Sequence, residues 1–176
     1  MICSDFYASI ELIKKHIALN NKIIIYGDYD VDGICATAIL WETLYAEYKN
    51  VFPHIPHRES EGYGLSIKGI DHCLSQEAKL IITVDNGIVA FDQIDYIKQK
   101  GCDVIVIDHH ESDIKLPNAN VVLYSKECCA SGLAWFFSRD YLNDSISLEL
   151  ATIATVCDLV PLTGINRSFV KHGLVE

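Results

Sequence analysis

Five short runs of apolar residues occur in the first two thirds of the chain, and segments of helical length separate most of them. The runs are rich in Ile and Val and show little alternation with polar residues. They are KIIIYG (22–27), NVFPHI (50–55), KLIITV (79–84), CDVIVID (102–108) and NVVLY (120–124). Such runs predict strands buried on both faces, which is typical of a parallel sheet covered by helices. The pattern therefore predicts an α/β fold with a mostly parallel, doubly wound sheet of about five strands and helices on both faces.

Segments with helical spacing of apolar residues follow the strands. ICATAILWETLYAEY comes after the first run, and further helices are predicted near 66–76 and over about 89–100. Beyond residue 130 the pattern becomes helical, in SGLAWFFSRDYL, SISLELATIATVCDLVPL and NRSFVKHGLVE. The chain has 176 residues and no low-complexity linker, so we expect a single domain over residues 1–176.

Half of the residues are hydrophobic and 22% are charged, which indicates a globular protein. No apolar run approaches the roughly 20 residues of a membrane span, and the first 21 residues lack the features of a signal peptide. We therefore expect a cytoplasmic protein with no membrane partner. Seven cysteines without CxxC spacing predict reduced thiols: Cys3, Cys35, Cys73, Cys102, Cys128, Cys129 and Cys157.

The formal net charge is -10. This balance is unfavourable for a protein that grips a phosphate backbone by itself, because that task usually leaves a basic surface. Acidic residues gathered around divalent cations would account for part of the excess. Any nucleic-acid substrate must therefore be held by metal ions or by parts beyond these residues.

Carboxylate and imidazole side chains follow three of the predicted strands. They are Asp28, Asp30 and Asp32 in GDYDVDG, Asp85 in TVDNG, and Asp108, His109 and His110 in VIVIDHH. Open parallel sheets bind ligands beyond the carboxyl ends of their strands, so these side chains are expected to meet. Mixed oxygen and nitrogen ligands favour Mn2+, with Mg2+ as the alternative. Two such ions about 3.5–4 Å apart would activate a water for attack on phosphorus.

Each motif also has a structural interpretation. DYDVDG could be an acidic turn or part of a calcium loop, although the twelfth residue from Asp28 is Ile39 rather than the Glu that calcium loops carry. Asp85 could be a helix cap or turn residue, and the His pair could lie in a polar loop. Three such motifs at three strand ends of one sheet favour the joint interpretation as a metal site.

The chain resembles the DHH phosphoesterase family, and within it the exonucleases that act on single-stranded DNA. Four segments are similar to the family's motifs in order, and a fifth is similar to a segment typical of the exonucleases. They are IIIYGDYDVDG, IITVDNGI, VIVIDHH, ATIATVCDLVPLTGINRSFVKHGL and PHRESEGYGLS, and together they span residues 22–174. The resemblance implies a phosphodiesterase that hydrolyses single-stranded DNA in the 5′-to-3′ direction. It also implies a catalytic domain that is the N-terminal part of a longer protein, continued by a substrate-binding domain and an OB module. Single-strand-binding protein or other repair proteins are the implied partners.

The resemblance also implies roles for individual residues. The two-metal site would consist of Asp30, Asp32, Asp85, Asp108, His109 and Asp158, with Asp85 as the bridge. Without the resemblance, Asp158 in TVCDLVPL reads as a buried cap or a partnered core charge. His110 would contact a substrate phosphate, and Arg58 would be a second phosphate contact or an ion-pair partner of Glu59 or Glu61.

Further positions stay open. Tyr63 in EGYGLS could stack on a base or pack, and the amides of Ser131 and Gly132 could receive a phosphate or belong to an ordinary Ser cap. Many family members carry a histidine where this chain has Tyr26, so one metal would have fewer ligands or use Asp28.

Two other functions remain. One is a different DHH chemistry, namely a nanoRNase, a cyclic-dinucleotide phosphodiesterase or a manganese pyrophosphatase. The other is a non-catalytic scaffold in replication or repair, although scaffolds of this kind usually lose metal ligands and this chain retains them.

Overall fold

The computed structural model describes residues 3–113, 115–143 and 146–174, apart from the side chains of residues 3 and 4. Its sheet has five strands, all parallel: β1 (Lys22–Tyr26), β2 (Val51–His54), β3 (Ala78–Val84), β4 (Asp103–Asp108) and β5 (Val121–Tyr124). Their order across the sheet is β2-β1-β3-β4-β5. The predicted parallel α/β sheet is confirmed.

Eight helices are described around the sheet. They are α1 (Cys3–Ala18), α2 (Val31–Glu47), α3 (Arg58–Glu61), α4 (Ile67–Ser75), α5 (Phe91–Gln99), α6 (Ala130–Leu142), α7 (Leu148–Cys157) and α8 (Gly164–Gly173). The sequence patterns did not predict α1 or α3. The predicted helix over residues 145–162 is too long, because α7 ends at Cys157. Its first residue, Ser145, and the last two residues of the chain lie outside the described part.

Alternate residues of the buried strands pack into two separate hydrophobic cores, one on each face of the sheet. Ile23 and Ile25 face the core formed with α1, α2 and α6. Ile24 and Tyr26 face a second core, which contains buried residues of α4 and α5. Because both faces are covered, the central strands are apolar throughout rather than alternating, as the sequence pattern indicated. The edge strand β2 contains Pro53, which an edge position tolerates because it has one fewer neighbour to bond.

The strand order reverses direction between β1 and β3. The chain moves outward from β1 to β2 on one side, and from β3 through β4 to β5 on the other. At such a reversal the connections that follow the two adjacent strands run in opposite directions, so a crevice opens beyond the carboxyl ends of these strands. The turns after β1 and β3 carry the predicted acidic motifs, and the fold therefore places both at this crevice.

Two further sequence expectations bear on the whole chain. The six cysteines whose side chains are described are free thiols, five of them buried and Cys157 exposed; the side chain of Cys3 lies outside the described part. Among the described residues, the longest apolar helical stretch is too short to cross a bilayer.

Candidate metal centre

Three aspartates follow β1, two in the turn and Asp32 in the first turn of α2, and their environments differ. Asp30 caps α2, and its Oδ1 accepts a hydrogen bond from the Gly33 amide at 2.9 Å. Asp28 is fully buried; its Oδ1 accepts from the Tyr29 amide at 2.7 Å, while its Oδ2 has no hydrogen-bond partner among the described residues. Gly33 permits this packing, because a Cβ there would lie 2.6 Å from the Asp28 nitrogen. The turn thus leaves Oδ2 of Asp28 buried without a hydrogen-bond partner in the described chain.

The turn after β3 places Asp85 in the left-handed region. Its φ is 63°, and its amide donates to the Ile107 carbonyl at 3.0 Å. The residue is 1% exposed. Burial, followed by the negative charges of Asp32 and Asp30, raises the pKa of Asp85 to about 10. A carboxylate in this position is costly in the absence of a compensating positive charge.

His109 lies close to three aspartates, each of which comes from a different part of the fold. Its Nε2 lies 3.2 Å from Asp85 Oδ1, 3.5 Å from Asp32 Oδ2 and 3.8 Å from Asp158 Oδ2. Asp158 is the C-cap residue of α7, and burial raises its pKa. The structure therefore brings Asp158 to the same centre as the strand-end residues, although a lone aspartate after an apolar helical segment was the only local signal for it.

Three overlapping groups have ligand atoms within 4.8 Å of one another. They are Asp28, Asp30 and Asp85; Asp32, His109 and Asp158; and Asp85, His109 and His110. Asp85 belongs to two of them. Carboxylate oxygens and imidazole nitrogens are ligands that Mn2+ accepts, and cations here would satisfy Asp28 Oδ2 and relieve the repulsion around Asp85. The residues can therefore hold divalent cations.

Asp108 occupies a different position from the other aspartates. Its Oδ2 accepts from the Ile88 amide at 2.9 Å, and its Oδ1 accepts from the His109 amide at 2.7 Å and lies 2.8 Å from His110 Nδ1. Burial favours its neutral form, but the hydrogen bonds from His110 and Ile88 outweigh it and lower the pKa of Asp108. In this arrangement Asp108 orients His110 and the turn after β3. A direct metal bond from Asp108 stays a prediction.

His110 faces outward from the same cluster. Its bond to Asp108 is the main cause of a raised pKa, which burial opposes. Its Nε2 lies 3.4 Å from the Tyr63 hydroxyl. Tyr63 is 63% exposed, so the interpretation of this ring as a packed residue is not supported.

Arg58 begins α3 at the rim of the crevice. The centre of its guanidinium lies 5.4 Å from the centroid of the Tyr29 ring. Within the described chain it forms no ion pair with Glu59 or Glu61, and Glu61 instead contacts His54 at 3.0 Å. The phosphate role predicted for Arg58 stays a prediction.

The contacts of Ser131 contradict the phosphate role expected for its amide, while the role of Gly132 stays a prediction. Both residues are buried rather than exposed. The amides of Ala130 and Ser131 donate to Asp32 at 2.7 and 2.8 Å, and the Ser131 hydroxyl donates to the Asp32 carbonyl. The Ser131 amide is thus already bound to a carboxylate from 99 residues earlier in the chain, so it cannot receive a phosphate. Nor is Ser131 an ordinary cap, since the N-cap residue of α6 is Cys129.

Tyr26 does not take the place of the histidine found in many family members. Its ring is fully buried against His54, with a centroid separation of 4.7 Å, and its hydroxyl lies 3.4 Å from the Gly64 carbonyl. The side chain thus points under residues 64–66 and away from the carboxylates. Asp28 lies in the crevice instead, which supports its predicted use as a ligand.

Comparison with known proteins agrees with this geometry. Residues 22–157 match the DHH family, N-terminal domain. The chain is 35% identical to the single-stranded-DNA-specific exonuclease RecJ of Bacillus subtilis, over 97% of this chain and 24% of that protein. It superimposes on a crystal structure of exonuclease RecJ bound to manganese with a TM-score of 0.85 and 32% identity, over 97% of this chain and 47% of that one.

RecJ from Thermus thermophilus gives a similar result. In complex with Mn2+ it matches with a TM-score of 0.81 and 28% identity, covering 97% of this chain and 26% of that one. In complex with Mg2+ the TM-score is 0.64 and the identity 26%, covering 97% and 23%. The present chain thus spans about a quarter of the length of the Bacillus and Thermus proteins. On the family match and the placement of its motifs at the sheet edge, the chain belongs to the DHH family.

Proposed function

We propose that this chain is the metal-binding domain of a phosphodiesterase that hydrolyses single-stranded DNA in the 5′-to-3′ direction with two Mn2+ ions. The observation that carries the proposal is the convergence of six predicted side chains at the carboxyl ends of three parallel strands, with Asp158 added by α7. The similarity to RecJ proteins supports single-stranded DNA as the substrate.

The candidate ligands form two sets, one for each cation. Bound divalent cations would supply charge neutralisation and a water molecule of lowered pKa as the nucleophile. Asp28, Asp30 and Asp85 would hold one cation, and Asp32, His109 and Asp158 the other, with Asp85 shared between them because it contacts both sets. The left-handed turn at Asp85 keeps this carboxylate fixed between the two groups, so little reorganisation is needed on binding.

His110 is suited to contact the substrate phosphate. Asp108 holds its Nδ1 at 2.8 Å, which leaves Nε2 directed to the open side near Tyr63. A donor at Nε2 would offset negative charge that develops on the phosphate oxygens in the transition state. Arg58 lies on the same rim and would add a second, bidentate phosphate contact.

The acidic surface limits what this chain does alone. A net charge of -10 opposes binding of a DNA backbone outside the metal centre. Since the chain spans only part of its RecJ relatives, we propose that residues beyond it hold the strand and that this domain supplies the reaction centre.

The test is a substrate panel on the purified chain with MnCl2 and with MgCl2. A 5′-phosphorylated single-stranded oligonucleotide should release mononucleotides from its 5′ end, while pyrophosphate, short oligoribonucleotides and cyclic dinucleotides should react more slowly. Metal binding is measured separately by calorimetry. Hydrolysis of another member of the panel in preference to DNA would contradict the proposal, and so would two-ion binding with no hydrolysis by either this chain or a longer version.

Two variants separate the assigned roles. His110→Gln should bind two Mn2+ ions as the parent does but lose about 10²–10⁴-fold in turnover, because it retains the metal carboxylates and loses the ionisable imidazole, which a neutral amide does not replace as a proton donor. His109→Ala should lose Mn2+ affinity, because three carboxylates surround its Nε2. If the two variants behaved alike in the binding measurement, the division of roles would be wrong.

A further inference from the structure

A cavity of about 280 Å³ lies beside the metal centre, between residues 63–65 and the turn after β3. It shares Asp85, Asp108 and His110 with the reaction centre. The rest of its wall is largely apolar and includes Tyr63, Leu65, Ile88, Val89 and Ala90, with Asn86 and Gln93 as polar members. A phosphate at His110 would therefore stand at the mouth of a mostly apolar chamber.

The size and chemistry of this cavity restrict what fits. Its volume of about 280 Å³ lies just below the roughly 300–1,000 Å³ typical of small-molecule sites, which suits a single ring system rather than a dinucleotide. Aliphatic and aromatic side chains favour a flat apolar face, and every nucleobase has one. Gln93 can present either its carbonyl oxygen or its NH2 group to a ring edge, so it does not select one base.

The cavity is held open by interactions within its own wall. The Ile88 amide donates to Asp108 at 2.9 Å, and the Thr83 hydroxyl donates to the Asn86 carbonyl at 3.1 Å. Gly87 has a φ of 108°, and a Cβ there would lie 2.7 Å from Thr83 Oγ1. The turn after β3 is therefore fixed before any ligand arrives, which lowers the entropic cost of binding.

We propose that this cavity binds the nucleobase of the nucleotide whose 5′ phosphate is the scissile group at His110, the second from the 5′ end, and that it does so without base preference. The proposal rests on the proposed function, because the reaction at the phosphate determines which base is brought to the cavity. It assigns Tyr63, Val89 and Gln93 to base binding and leaves metal binding to the aspartates and His109.

Ligand binding to the Mn2+-loaded chain tests the pocket. Deoxyguanosine 5′-monophosphate should bind about tenfold or more tightly than 2-deoxyribose 5-phosphate, because only the former has a base to bury. The four deoxynucleoside monophosphates should agree within a few-fold. Equal affinity for the nucleotide and the sugar phosphate would overturn the proposal.

The variant Val89→Trp tests the location. Val89 is 55% exposed, so the indole can be accommodated while it occupies the cavity. This variant should lower the affinity for deoxyguanosine 5′-monophosphate to that for the sugar phosphate and leave the latter unchanged. The matched control is Leu116→Trp, which changes another exposed apolar residue outside the cavity wall. Unchanged nucleotide affinity in Val89→Trp would also overturn the proposal.

These measurements do not depend on turnover. A preference for the nucleotide over the sugar phosphate, with two bound ions but no cutting of DNA by this chain or a longer version, would contradict the proposed function and support the pocket. In a chain that cuts DNA, an abasic residue at the second position from the 5′ end should raise KM by about tenfold with little change in kcat. Cleavage of the abasic substrate at the KM of the parent substrate would refute the pocket while leaving the proposed function intact.

Discussion

At the scale of single residues, Asp85 combines a left-handed backbone conformation with membership of two candidate ligand groups. Its left-handed φ of 63° is one that Asn and Asp tolerate better than most residues, and its carboxylate contacts ligand atoms of both histidines. The sequence signal for it was the set of acidic motifs at three strand ends, since an aspartate in a single turn is common. By contrast, nothing near Ser131 in the sequence indicates that Asp32 accepts its amide, because the partner lies 99 residues away.

Asp85→Asn should alter the pH dependence of stability in the metal-free protein. The pKa of Asp85 is raised to about 10 from an ordinary 3.8, so the folded state binds this proton more tightly than the unfolded state does. Its effect on stability therefore becomes less favourable as pH rises above about 4 and continues to do so up to the folded pKa. In EDTA, the unfolding midpoint of the parent should fall between about pH 5 and 9, and that of the variant should fall less. Denaturant unfolding across this range measures it, and parallel curves for the two proteins would contradict it.

At the scale of elements, Glu61 ties the short helix α3 to β2 and to His57 through two hydrogen bonds. Glu61 Oε2 lies 3.0 Å from His54 Nε2 on β2, and its Oε1 accepts from the His57 amide at 3.1 Å. Burial favours the neutral acid, but these hydrogen bonds lower the pKa of Glu61. Gly69 of α4 makes room for the carboxylate, because a Cβ there would lie 2.6 Å from Glu61 Oε2. Arg58 and Tyr63, on either side, therefore depend on Glu61 for their position.

Glu61→Gln should loosen residues 57–66 and leave the metal centre intact. The loss of a charge-assisted bond to His54 is expected to cost about 1–3 kcal/mol. Amide hydrogen exchange over 57–66 should accelerate, while Mn2+ affinity stays at the parent value because no metal-centre residue contacts Glu61 in the described chain. Glu59→Gln, an exposed change on the same helix, is the control. Equal exchange in the two variants would show that Glu61 does not anchor this segment.

At the scale of the whole molecule, the acidic groups are concentrated where the sheet order reverses. This concentration makes the metal-free fold self-repelling at one edge, and cations that bind only the folded state would stabilise it by mass action. The candidate metal ligands thus account for part of the net charge of -10.

Adding Mn2+ should therefore raise the thermal midpoint of the whole chain. At about 100 times the dissociation constant, a single site contributes about 2.7 kcal/mol, which corresponds to roughly 5–10 °C in a chain of this size. Differential scanning calorimetry in MnCl2, compared with NaCl of equal ionic strength and with EDTA, measures the shift. The same midpoint in all three solutions would show that the folded chain has no such site.

The sequence by itself determined the five strands, the parallel sheet and the acidic strand ends, because these follow from local hydrophobic patterns and from the chemistry of adjacent residues. It predicted burial on both faces for all five strands, whereas the edge strands β2 and β5 are largely exposed or half-buried. It did not determine the exact helix ends, since α7 stops where Asp158 turns toward the centre. Only the tertiary structure decided that Asp32 accepts hydrogen bonds from the first amides of α6, and that Asp108 accepts hydrogen bonds from backbone amides. It also decided that Tyr26 points away from the site. These outcomes depend on contacts between residues far apart in the chain, and such contacts are set by packing rather than by local preference.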